Sequence, residues 1–79
     1  MRSTVIITRR GEGYISSVTD KFGRGHTEAY CGRLPYEAAS KAAQCMIDYA
    51  QSNPEGGDLM APPEVFELVP RHLQSITTK

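Results

Sequence analysis

One stretch constrains the fold more than any other: residues 35–51, PYEAASKAAQCMIDYAQ. Its apolar period is 3.6, whereas the runs before it are short and β-branched. Projected at 100° per residue, Ala39, Ala42, Met46, Tyr49 and Ala50 share one face. Glu37, Ser40, Lys41, Gln44, Asp48 and Gln51 share the opposite face. Pro35 suits the first helical position, where its missing N–H costs nothing. Glu37 meets the positive end of the helix dipole, and it stands four residues before Lys41 in the favoured ion-pair order. Asn53 and Pro54 end the segment. An inner face built mostly of alanine lets a helix sit close on its support, and the support available in this chain is a sheet.

The sheet comes from three earlier runs. Residues 3–9 (STVIITR), 14–19 (YISSVT) and 26–32 (HTEAYCG) read as strands. Residues 10–13 (RGEG) form a tight turn, and residues 20–25 (DKFGRG) a longer hairpin loop. Two such connections in a row predict an antiparallel meander. After the helix, residues 53–63 (NPEGGDLMAPP) read as a long loop and a candidate contact region, with Leu59 and Met60 as lids on the core. Residues 64–69 (EVFELV) alternate and read as a fourth strand ended by Pro70. A short helical turn over 71–75 and a flexible tail from 74 to 79 complete the chain. The expected fold is a single α+β domain over residues 1–79, ordered β-β-β-α-β, an antiparallel sheet with one helix on one face. The strands leave open which face the helix covers, because Val5 and Ile7 compete with Ile6, and Ile15 competes with Tyr14 and Val18. An apolar bare face would favour a homodimer, and a polar one a monomer.

Composition narrows the function classes. The chain has 79 residues, 39% apolar and 23% charged. That is one lean domain, with no apolar run near the 18 residues of a membrane span. The early apolar stretch, Val5 to Ile7, is too short for a signal-peptide core, so a cytoplasmic location is expected. Cys31 and Cys45 fit no zinc spacing; they read as two buried or half-buried thiols, with a disulfide as the alternative. No metal or cofactor is expected. The net charge is zero but unevenly spread: residues 1–33 carry +3 and residues 34–69 carry −5. Such a division does not suit indiscriminate nucleic-acid binding, yet it can present one charged face to a partner.

Few residues suggest chemistry. His26 and Glu28 share a strand face and can in principle exchange a proton, but no nucleophile joins them. The glycines form no phosphate-binding fingerprint, since Gly23 and Gly25 lie between strands. No enzyme is expected. The remaining candidates are contact residues. Arg9, Arg10, Lys21 and Arg24 flank the hairpin turns with Phe22. Glu55 and Asp58, with Glu64 and Glu67, flank the long loop and suit a basic protein groove.

Two resemblances sharpen these expectations. The opening strand to Arg10, Gly13-Tyr14 and the next strand run into a helix beginning Pro35-Tyr36-Glu37-Ala38-Ala39. This resembles the HicB antitoxins over residues 4–63; their core is a partial RNase-H-like β-β-β-α-β unit. HicB proteins usually add a DNA-binding domain that these residues do not include, and a Ser or Thr cap where this chain has Leu34-Pro35. The hairpins, the Ala-rich helix 38–46 and a closing strand 65–69 before Pro70 resemble small phage-encoded anti-CRISPR proteins acting on type I systems. That resemblance leads. It implies a non-enzymatic inhibitor that docks on the crRNA-guided surveillance complex, Cascade, and blocks target DNA binding. Its expected contacts are Arg9, Arg10, Lys21, Arg24, Glu55 and Asp58. The HicB resemblance implies instead an antitoxin that neutralises a small RNase toxin. A third reading is a small RNA-binding module, which requires Tyr14 and Tyr30 to be exposed on one sheet face; otherwise direct nucleic-acid binding is not expected.

Overall fold

The computed structural model describes residues 2–19 and 26–77. The loop expected over 20–25, with Lys21, Phe22 and Arg24, lies outside the described residues, as does the end of the tail at 78–79.

The meander forms as the sequence predicts. Strands β1 (Ser3–Arg10), β2 (Gly13–Thr19) and β3 (His26–Gly32) pair antiparallel, with Thr4 opposite Thr19, Arg10 opposite Gly13 and Ser16 opposite Ala29. The β1–β2 loop is only Gly11-Glu12, and Gly11 takes φ +61°, the positive angle that a two-residue hairpin needs at its first position. Burial settles the competing faces. Ser3, Val5, Ile7, Tyr14, Ser16 and Val18 point to the core, while Ile6 and Ile15 point to the other side.

Helix α1 (Pro35–Cys45) crosses that inner face. Pro35 opens it, and the Glu37 carboxylate turns back to accept hydrogen bonds from the backbone N–H of Arg33 (2.9 Å) and Leu34 (3.0 Å). Those bonds tie the two residues before the helix to its first turn, and the Leu34 carbonyl, rather than a side-chain cap, accepts from the Glu37 N–H at 3.0 Å. Ala38, Ala39, Ala42, Cys45, Met46 and Ala50 are buried against the sheet. The helix closes with a π turn over Met46–Ala50, in which the Gln51 N–H donates to the Met46 carbonyl at 2.9 Å. The wider turn rotates the last side chains, and Tyr49, expected on the inner face, stands 38% exposed.

Beyond the helix the expectation changes. Strand β4 is Gly57–Met60, inside the segment expected to be a loop, and it pairs parallel with β1, Val5 opposite Leu59. The sheet is therefore mixed rather than purely antiparallel, ordered β3-β2-β1-β4-β5, with β5 (Ser75–Ile76) on the far edge. A parallel neighbour requires a crossover, and α1 supplies it. Residues 64–69 are not a strand: Pro63–Phe66 is a short helix, α2, followed by a turn that buries Val65 and Val69 four residues apart. A 3-10 turn, Arg71–Leu73, confirms the expected short helical turn and adds Leu73 to the core. Of the two expected lids, Leu59 is buried and Met60 faces outward, 58% exposed.

Two glycines let β4 thread into place. Gly56 takes φ +77°, and a Cβ there would lie 1.9 Å from the Ile76 carbonyl oxygen. A Cβ on Gly57 would meet the Ala50 side chain at 2.5 Å, so the strand passes hard against the end of the helix.

Candidate protein-docking surface

One flank of α1 forms an apolar groove with the turn after α2. Tyr36, Ala39, Ser40 and Ala43 follow one another at helical spacing, and Leu68 and Pro70 from the turn after α2 face them across about 380 Å³. The local sequence explains why this surface stays open. Val65 and Val69 take the inward positions of their turn, which leaves Leu68 outward at 51% exposure. Tyr36, beside the helix start, is 62% exposed, and Leu34 and Ile47 are exposed on either side of it along the helix. Small residues on the floor and large apolar ones on the walls suit an inserted side chain from a partner.

A second, smaller cleft of about 80 Å³ lies between the helix and the sheet near β3, lined by Ser16, Val18, Ala29, Lys41, Gln44, Cys45, Asp48 and Tyr49. Both cysteines are free thiols. Ser16 Oγ donates to the Ala29 carbonyl at 3.4 Å, and Cys31 Sγ donates to the same oxygen at 3.7 Å. Burial pushes both thiols up from their ordinary value, opposed by a Ser16 hydrogen bond at Cys31 and by the charge of Lys41 at both, so neither is an activated nucleophile. Among the described residues, no three His, Cys, Asp or Glu side chains gather to hold a metal, and no helix is long and apolar enough to cross a membrane.

The four expected contact residues that lie among the described residues, Arg9, Arg10, Glu55 and Asp58, do not converge. Arg9 and Arg10, adjacent in β1, point to opposite faces. Arg9 belongs to the fold: its guanidinium donates to the Tyr14 hydroxyl at 3.1 Å and lies 5.6 Å from the ring centre. The Tyr14 hydroxyl donates in turn to Glu64 at 3.0 Å. Arg10 is exposed at the end of the strand. Asp58 pairs across from Thr4, six residues back along β1, so it stands roughly 20 Å from Arg10 at the strand rise of about 3.3 Å. Glu55 lies in the loop before β4, on Asp58's side of the sheet.

Arg2, which sequence reading passed over, organises that corner. Its guanidinium donates to both Asp58 oxygens (3.0 and 3.2 Å) and to the carbonyls of Glu55 (2.8 Å), Gly57 (3.1 Å) and Ile76 (3.2 Å). These bonds hold the Asp58 carboxyl below its ordinary value and raise that of Arg2. Ser75 Oγ donates to Asp58 as well, at 3.0 Å. No local pattern marks Arg2; its acceptors lie more than fifty residues away.

The exposed, co-facial tyrosine pair that the RNA-binding reading requires does not form. Tyr14 is fully buried on the helix side, whereas Tyr30 is 62% exposed on the opposite face. They form no shared platform for stacking bases. The chain matches no family model, and no curated protein sequence matches it either.

Proposed function

We propose that this chain is a non-enzymatic inhibitor that works in the cytoplasm by binding a protein and occluding its working surface. The apolar groove of Tyr36, Ala39, Ala43 and Leu68 carries this reading. Large apolar side chains standing in solvent around a small-residue floor are the anatomy of an interface core. Two targets follow from the resemblances. The anti-CRISPR reading gives the type I surveillance complex, although the closing strand 65–69 that supported it is helical and turn-like. The second reading is favoured by the strand arrangement. Three meandering strands, one crossing helix and a fourth strand ending at Met60 make the β-β-β-α-β unit that the HicB resemblance implies. Its target is a small RNase toxin.

One pair of assays tests the proposal. Purified protein is added to a type I surveillance complex, with target-DNA binding read by gel shift, and to a HicA-type toxin, with RNA cleavage as readout. Inhibition in one assay, reduced at least tenfold by Leu68→Asp, is the expected result. Inhibition in neither, or inhibition indifferent to Leu68→Asp, rejects the groove-based inhibitor.

A further inference from the structure

We propose that the sheet face away from α1, which no other described element covers, is a self-association surface, on which a second copy of this chain packs face to face. The face is set by the strand register. Ile6 stands opposite Met60 on β4, and Ile15 opposite Tyr30 on β3. These four side chains make an apolar centre across four strands. The Tyr30 ring lies over Gly13, where an added Cβ would meet it at 2.6 Å. Thr4, Thr8, Ser17 and Thr19 surround this centre with neutral hydroxyl groups.

Charge argues for a like partner. Asp58 is already neutralised by Arg2, and among the described residues the other charges on this face, Glu28 on the edge strand and Arg10 at a strand end, stand at the margins. Little charge must therefore be stripped of water when two such faces meet. Among the described residues the two carboxylates here, Asp58 and Glu28, are matched by two arginines, Arg2 and Arg10, so a nucleic-acid backbone would find no net positive charge.

Size argues the same way. The domain measures 36 × 26 × 15 Å, thin because one layer of helix covers one layer of sheet. Five strands of 8, 7, 7, 4 and 2 residues, at about 3.3 Å per residue and about 4.8 Å spacing, present roughly 440 Å² in projection. That is about a tenth of the 4770 Å² molecular surface and close to the roughly 500 Å² per partner that a specific interface requires. A second copy covers the whole face, because two sheets of the same twist stack with strands about 30° apart. The product is a helix–sheet–sheet–helix sandwich with a groove on each outer side.

Sedimentation equilibrium from 5 to 500 µM tests this. The wild-type mass is expected to rise from 8.7 kDa towards twice that value. Tyr30→Lys with Met60→Lys, both at exposed positions, is expected to weaken association at least tenfold with an unchanged circular dichroism spectrum, while Leu68→Asp leaves it intact. Amide NMR shifts of the unmodified protein provide a check that needs no variant: Ile6, Ile15, Ser17 and Met60 should move with concentration, and Ala43 should not. A wild type monomeric at 500 µM overturns the proposal. So does a dimer that survives the double substitution or is lost in Leu68→Asp. None of these outcomes depends on the inhibition assays.

Discussion

Removing the Asp58 carboxylate tests the clamp that Arg2 forms. Because Arg2 holds Asp58 below its ordinary value of 3.8, the ionised carboxylate stabilises the fold above that value. The contribution is lost as pH falls through the folded-state value. The melting temperature should therefore drop on acidification from about pH 5 to pH 2, and Asp58→Asn should flatten that drop, as read by circular dichroism. Tyr14→Phe removes a hydroxyl held between Arg9 and Glu64 and should cost about 1 kcal/mol in urea unfolding. Gly56→Ala meets both a positive φ and the Ile76 carbonyl, so it should cost more than about 1 kcal/mol by the same measurement. Neither Arg2 nor Gly56 could be singled out from the sequence. Their roles depend on chain segments brought together only in the folded state.

At the scale of elements, legibility followed locality. The meander was readable because β-branched runs and a Gly-Glu turn speak for themselves over a few residues. Helix α1 was readable from its alanine face and Pro35. Strand β4 was not, because GDLM has weak strand propensity and is a strand through its pairing with β1. Residues 64–69 misled for the opposite reason. Val65 and Val69 are compatible with a strand face and with a helical turn, and Pro63, a good first helical residue, decides for the helix. Truncation separates the two. Val65→Ala should cost about 2 kcal/mol, because Val65 is fully buried, while Leu68→Ala should stay within about 0.5 kcal/mol. The groove was hidden in the same way. Tyr36 and Ala43 were visible on α1, but the Leu68 wall depends on reading 64–69 as a turn.

The whole molecule is a thin plate with two unlike sides, a grooved helical side and a flat hydroxyl-and-isoleucine side. Its stability should be modest, since a chain of this size buries only about 60% of its unfolded surface. Met46 is fully buried beneath the helix, and Met46→Ala should cost about 3 kcal/mol, enough to leave the domain partly unfolded at 37 °C by circular dichroism. The place of β4 also bears on how the protein is made. β1 is synthesised well before β4, yet one of its two neighbours is residues 57–60. Until those residues arrive, the middle of the sheet is an open edge that any passing strand can occupy. The nascent chain holds its own best template for misassembly, and that edge closes only once residues 57–60 have been made and have paired with β1.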